Sequence, residues 1–360
     1  MNTITDVRDI IRSRSRELGL VGLWDIIHEV EVKEPQKGYR PALWNWKEIR
    51  PLLLEAGRHV SLEESDRRVL ILSNPGAPRR HHSTNTLYVS CSIYNGGELA
   101  TVHRHTANAS RFVLEGSGGF TNIEGEKCTM SRGDLIVTPN GTWHDHGNEG
   151  SDPVMWVDVL DLPLVEALGS SAFRFDYVEM NAPRKHQSVS QPADHSSRLY
   201  AAGGLKPAFA SHQRGDSLGT PMFVYRWQDA KRALERLRDY EGSPHDGVIM
   251  EYVNPATGEP VTTTMSFSVQ LLRPGEQTRP HRHTASVFYC CLQGRGVTEI
   301  DGQEFRWGEN DLFVIPSWAP HRHVNLDSKG DAILYSVSDA PTLRKLGLYR
   351  EEAAEAGHSR

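Results

Sequence analysis

The chain opens in helical periodicity and changes to strand periodicity. Val7, Ile10 and Ile11, then Leu18, Val21 and Trp24, recur at helical spacing through residues 5–28, with charges between them. Gly19 and Gly22 predict a break into two helices. Pro35, Gly38 and Pro41 mark an extended loop, and a second helical patch runs from Trp46 to Ala56. From residue 67 the pattern is one of short strands: Arg68–Leu72, Thr86–Ile93, Phe112–Leu114, Leu135–Thr138 and Val154–Val159. Turns at Asn74-Pro-Gly76, Asn95-Gly-Gly97, Glu124-Gly125 and Ser131-Arg-Gly-Asp134 separate them. Residues 181–221 lose periodicity, and Trp227–Arg238 predicts a helix with Trp227, Ala230, Leu234 and Leu237 on one face. Strands then return from Val248, with a turn at Asp301-Gly302 and a strand over Asp311–Ile315. Many short strands with regular turns predict an all-β-dominated sandwich or barrel rather than a doubly wound sheet. The expected divisions are a helical arm over 1–60, a β domain over 61–165, a linker over 166–225, a second β domain over 226–340 and a tail over 341–360.

The two β regions are copies. His-Arg-His-Thr-Ala occurs at 103–107 and again at 281–285. His103 and His281 lie 178 residues apart, as do Gly97 and Gly275. His144 and His321 lie 177 apart, as do Asn148 and Asn325. A nearly constant offset is what tandem duplication leaves.

Composition narrows the setting. At 360 residues, 24% charged, 38% hydrophobic and with a net charge of −6, the chain suits two globular domains and gives no basic patch for nucleic acid or an anionic membrane. No apolar run approaches the roughly 20 residues that span a bilayer, and the charged N-terminus has no secretory hydrophobic stretch. Cys91, Cys128, Cys290 and Cys291 suit neither a disulfide framework nor a zinc ribbon. Buried, reduced thiols and a cytoplasmic location are the expectation.

The histidine repeats carry the candidate chemistry. On a strand, residues i and i+2 share a face, so His103 and His105 point the same way and Arg104 the other. His144 supplies a third imidazole from another strand. Three such groups can hold a metal facially and leave positions open for substrate and oxygen. A lone His-x-His pair is commonly a surface or core feature. Here it belongs to a longer string with Gly97, Gly133, Pro139, Gly141, His144 and Asn148.

These strings resemble the two motifs of the cupin superfamily, so two copies imply a bicupin of two antiparallel jelly-roll β-barrels with short N-terminal helices. His103-Arg-His-Thr-Ala-Asn-Ala-Ser-Arg-Phe112, Pro139-Asn-Gly-Thr-Trp-His-Asp-His-Gly-Asn148 and Trp156-Val-Asp-Val-Leu-Asp-Leu-Pro-Leu164 resemble the gentisate 1,2-dioxygenases and their salicylate and 1-hydroxy-2-naphthoate relatives. The likeness extends to Gly19–Trp24, Arg50–Leu54, Asn74–Gly76 and Ser243-Pro-His-Asp-Gly247. The usual cupin glutamate is absent: Ala109 and Ser110 follow His105, and Val287 and Phe288 follow His283. A neutral three-histidine set leaves the metal more positive and suited to an anionic, two-toothed salicylate-type ligand.

The resemblance implies Fe(II), O2 as co-substrate, and opening of an aromatic ring between its carboxyl- and hydroxyl-bearing carbons. It implies ligand roles for His103, His105 and His144. Arg111 would stabilise the carboxylate or developing negative charge, His146 would serve as acid or base, and Asp158 would orient one of them. Arg67 or Arg68 matches a carboxylate-binding arginine, and Arg68 is the favoured one. Tyr88, Ser90 and Ser92 form the substrate wall. Ser92 stands where the family commonly has glutamine, which suggests a ring substituent other than the 5-hydroxyl of gentisate, such as a nitro or halo group. In the second copy His281, His283 and His321 are retained, Trp318 replaces Gly141 and the motif glycine shifts to Gly308. That copy is expected mainly to complete the fold, although its residue types suit a second metal. The resemblance also implies a homotetramer. The alternatives are a 1-hydroxy-2-naphthoate dioxygenase and a non-catalytic bicupin that binds a small ligand.

Overall fold

The computed structural model describes residues 3–35, 38–201, 203–210, 212 and 217–354. Helices Thr3–Glu17 and Leu23–Val30 form the first unit, broken at Gly19 (φ +68°) as the sequence predicts. Arg12 donates to the Asp25 carboxylate at 2.7 Å and ties the two helices together.

The second unit holds two β-barrels. In the first, a six-stranded antiparallel sheet runs in the order Val224–Tyr225, Leu135–Thr138, Ala109–Glu115, Val154–Leu160, Tyr88–Tyr94 and Val69–Ile71. A three-stranded sheet of Glu126–Thr129, Gly119–Ile123 and His144–Asn148 accompanies it. The second barrel repeats the plan. Its larger sheet runs Ala42–Trp44, Leu312–Ile315, Val287–Gln293, Ala332–Ser338, Ser266–Leu272 and Val248–Tyr252. Its smaller sheet runs Gln303–Trp307, Gly296–Ile300, His321–Asn325, His281–His283 and Glu351–Ala353. Both expected hairpins form. Glu124-Gly125 (φ +47° and +80°) and Asp301-Gly302 (φ +50° and +77°) each take the paired left-handed conformation of a tight hairpin turn.

Three segments do more than their sequence suggests. The arm is expected to pack on the first barrel or on a neighbouring subunit. Its strand Ala42–Trp44 instead pairs with Leu312–Val314 of the second barrel. Its helix Trp46–His59 then turns to the first barrel, where the Trp46 indole and Arg50 donate to Glu115 at 2.6 and 2.7 Å. The supposed linker mirrors this. Val224–Tyr225 pairs with Leu135–Ile136 of the first barrel before helix Trp227–Leu237 begins. Matching carboxylates receive the two helices: Asp311 accepts from the Trp46 amide at 2.7 Å and Asp134 from the Trp227 amide at 2.9 Å. The tail is no free end either. Glu351–Ala353 adds a strand to His281–His283. These pairings are made by backbone groups over two or three residues, too few for alternation to register.

The larger sheets share one apolar core. Phe112 stacks on Tyr335 at 4.0 Å between ring centroids, and Cys91 and Cys290 lie in the same cluster. All four cysteines are buried and unbridged, as expected.

Candidate active site

Strand alternation does what the sequence predicts in the first barrel. His103, His105, His144 and His146 are buried, while Arg104 turns outward and lies over Trp143. The backbones of His103 and His144 pair directly as neighbours, which sets the two rings side by side. A cavity of about 370 Å³ opens beside them, lined in part by Arg67, Tyr88, Ser90, Ser92, Arg111 and Asp158.

Three imidazoles share one arrangement. His103 Nδ1–H donates to the Thr101 carbonyl at 3.0 Å, that of His105 to Ala107 at 2.8 Å, and that of His144 to Thr142 at 2.9 Å. A ring held this way has its proton on Nδ1 and its lone pair on Nε2, which is how proteins prepare a histidine for a metal. The His144 Nε2 is buried with no hydrogen-bond partner among the described residues. Burial holds all three rings well toward the neutral form, His105 at about 4. The donor set therefore fits a divalent metal.

Nitrogen atoms of His103, His144 and His146 lie within 4.8 Å of one another, so distance alone groups His146 with this pair. Its hydrogen bonds argue otherwise. His146 Nε2 accepts from Arg111 Nη2 at 2.9 Å, and its Nδ1 meets the Thr121 hydroxyl at 3.1 Å. Both nitrogens are occupied. His105, whose ring centroid lies 4.8 Å from that of His144, keeps the carbonyl-held arrangement. In the second barrel the converging set is His281, His283 and His321, which are the counterparts of His103, His105 and His144.

Arg111 is built into a buried network. Asp158 faces it across the sheet with 3.3 Å between Oδ1 and Nε, and Thr138 also accepts from it. Asp158 in turn accepts from the Ser92 hydroxyl at 2.5 Å and from the Trp156 indole at 3.0 Å. Burial pushes the Asp158 carboxyl up, and Arg111 and these donors oppose it. Ser92 is thus held by Asp158.

The arginine expectation needs correcting. Arg68 is buried away from the cavity, paired with Glu98 and donating to the Gly57 and Val60 carbonyls. Arg67 lines the cavity with Val69 and Ile71, and its Nη1 donates to His103 Nε2 at 2.8 Å. Alternation is the reason: positions 67, 69 and 71 share the inner face, and 68 takes the other.

Sequence reasoning missed an aromatic rim. Phe173 pairs with His105 through the backbone, and its ring centroid lies 5.2 Å from the imidazole. The Phe175 ring lies 5.9 Å from that of His103, stacked, and the Arg67 guanidinium sits 6.0 Å from Phe175. Leu160 and Leu162 complete that side. The alternation of Phe173, Phe175 and Tyr177 was the available signal.

Two barrels, each with buried histidines on its small sheet, define a bicupin with metal-binding histidine triads. Residues 91–160 and 268–338 each match the cupin domain family Cupin_2. The chain is 36% identical over 357 residues to 5-aminosalicylate 1,2-dioxygenase of Comamonas sp., covering 97% of this chain and 91% of that one. It is likewise 36% identical over 349 residues to gentisate 1,2 dioxygenase 1 of Aquipseudomonas alcaligenes, covering 97% of each. Salicylate 1,2-dioxygenase from Pseudoaminobacter salicylatoxidans, solved as an adduct with gentisate, is similar with a TM-score of 0.88 at 28% identity, covering 98% of this chain and 95% of that one. The chain belongs to the gentisate and salicylate 1,2-dioxygenase family of ring-cleaving dioxygenases.

Proposed function

We propose that this chain is an Fe(II)-dependent dioxygenase that opens a 5-substituted salicylate between its carboxyl- and hydroxyl-bearing carbons. Support comes chiefly from one observation: two of the three carbonyl-held imidazoles, His103 and His105, line a single cavity of about 370 Å³ with the guanidiniums of Arg67 and Arg111, and the third, His144, packs directly behind them. His103, His105 and His144 are the ligands in this reading. Bound there, the metal supplies a Lewis-acidic centre for the substrate's carboxylate and hydroxyl and for O2.

The protein's own groups do the rest. Arg67 now occupies the His103 lone pair. With a metal held on that nitrogen, Arg67, which lines the cavity beside it, would be the guanidinium left to meet the substrate carboxylate. Arg111, fixed by Asp158 and Thr138, presents positive charge where negative charge grows on the reacting oxygens. His146 accepts from Arg111 and so acts as a positioning residue rather than a free acid or base. Phe173, Phe175 and Leu162 cover the mouth and limit water.

Ser90 and Ser92 keep the wall small, which leaves room for a ring substituent. The related Comamonas enzyme is named for 5-aminosalicylate, and an amino, hydroxyl, nitro or halo group at that position fits this reading. The test is anaerobic loading with Fe(II), addition of salicylate, gentisate, 5-amino-, 5-nitro- and 5-chlorosalicylate and 1-hydroxy-2-naphthoate in turn, then oxygen. Oxygen uptake fastest with one 5-substituted salicylate is expected. No uptake with any would overturn the proposal, and uptake with the naphthoate alone would replace the substrate.

A further inference from the structure

The second barrel keeps the histidines and changes what they face. His281, His283 and His321 offer nitrogen atoms within 4.8 Å of one another. Each Nδ1 is held by an oxygen outside the set: Glu351 at 3.1 Å for His281, the Ala285 carbonyl at 2.9 Å for His283, and the Ala319 carbonyl at 2.9 Å for His321. The Nε2 atoms of His281 and His321 are buried with no partner among the described residues. An unpartnered buried nitrogen is costly unless something fills its lone pair. Two such atoms converging in one place point to a cation.

The surroundings differ in charge. In the first barrel Arg111 faces Asp158 across the sheet. In the second the equivalent pair is Tyr289 and Ser336. Val69 pairs with Ser92 there and Ile249 pairs with Gln270 here, so the place of Arg67 falls on Gly247. Both guanidiniums are gone. Beside Gly247 stands Asp246, whose Oδ1 lies 4.0 Å from His281 Nε2. Its Oδ2 accepts from the Ser243 hydroxyl at 2.9 Å, which fixes the carboxylate's direction. Two ligands of one ion with bonds of about 2.0–2.2 Å lie roughly 3–4 Å apart, so the observed separation is close to a ligating one.

We propose that His281, His283 and His321 hold a divalent transition cation with Asp246 as the fourth ligand, a closed site that takes no aromatic acid. An anionic substrate that is welcomed by arginines in the first barrel meets a carboxylate here. The Trp318 indole is buried where the first barrel has Gly141 and is covered by Arg282 and Arg350 at 4.5 and 4.9 Å. Glu351 sits on the C-terminal strand, so a cation that fixes His281 also fastens that strand. Carboxylate–histidine–metal relays of this form raise ligand basicity. The role assigned is structural, and it holds whichever aromatic acid the first barrel takes.

Metal-free full-length chain titrated with Co(II) tests this. Two Co(II) per chain are expected. The double variant H103A/H144A should keep one, with a visible spectrum that salicylate leaves unchanged. Adding D246N to that double variant should weaken the remaining Co(II) by about tenfold or more. H321A should bind one Co(II) and, when loaded with iron, retain the ring cleavage of the parent. A single Co(II) in the parent chain that H103A/H144A abolishes overturns the proposal, as does none in a double variant that keeps its circular-dichroism spectrum. A salicylate-shifted spectrum in the double variant overturns the closed coordination. Cobalt stoichiometry is read without turnover, so a failure of the dioxygenase assignment leaves this result standing on its own.

Discussion

Two adjacent arginines illustrate how one residue's step along a strand decides its work. Arg67 reaches the cavity, and Arg68 is buried against Glu98 on the opposite face. We expect R67M to keep its melting temperature and to raise KM for the aromatic acid. R68M leaves Glu98 without its cation and should cost about 3 kcal/mol of stability, with KM unchanged in whatever folds. Thermal scans and steady-state kinetics on both variants check this. A second expectation concerns pH. Burial lowers His103, His105, His144 and His146 below the usual 6.5, and His283, His321 and His323 likewise. The unfolded chain then binds more protons than the native one below pH 6.5, so stability is present above that pH and is lost as pH falls toward the folded values. Asp339, raised to about 6 by burial, and Asp145, Asp158, Asp161 and Glu251, raised by burial as well, have the opposite slope, but the lowered histidines outnumber them. The metal-free chain should therefore melt at lower temperature at pH 5 than at pH 7. Metal affinity of the first barrel should stay level between pH 7 and 6, because burial already holds His103, His105 and His144 neutral. A drop in affinity over that interval, measured by calorimetry, would contradict the burial argument.

At the scale of elements, each barrel borrows a strand that leads into a helix. The arm's strand Ala42–Trp44 closes an edge of the second barrel, and Val224–Tyr225 closes an edge of the first. Covering an edge removes unpaired backbone groups that would otherwise recruit another chain. Asp311 and Asp134 receive the start of the helix that follows each strand. Asp311→Ala removes one such bond and should cost about 1 kcal/mol, in the range of a lost helix cap. Amide hydrogen exchange should speed up over residues 42–59 and leave the histidine strands protected. These exchanges could not be read from the sequence, because a two- or three-residue strand leaves no alternation to follow. The longer strands, the helix Trp227–Leu237 and both hairpin turns were legible, since each carries its own periodicity or turn chemistry.

For the whole molecule, the N-terminal helices raise the question of assembly. Ile10, Ile11 and Trp24 are exposed, Trp24 by 65%, although they were read as the apolar side of the helical arm. With the homotetramer that the family resemblance implies, we expect these side chains to be covered by a neighbouring copy. Sedimentation equilibrium should give a tetramer, and removal of residues 1–30 should lower the mass toward dimer or monomer. An unchanged mass after truncation would place the assembly surface elsewhere.

The sequence by itself determined the duplication and the two β regions, and its resemblance to the gentisate and salicylate dioxygenases implied the bicupin architecture and the histidine set. The first two follow from the repeated strings, from local periodicity and from turn chemistry. Only the tertiary structure decided which arginine enters the cavity, that His146 is occupied by Arg111, and that Phe173 and Phe175 form the rim. It also placed Asp246 beside the second triad. Each of these depends on where a side chain far along the chain comes to rest, and spacing in sequence carries no measure of that distance.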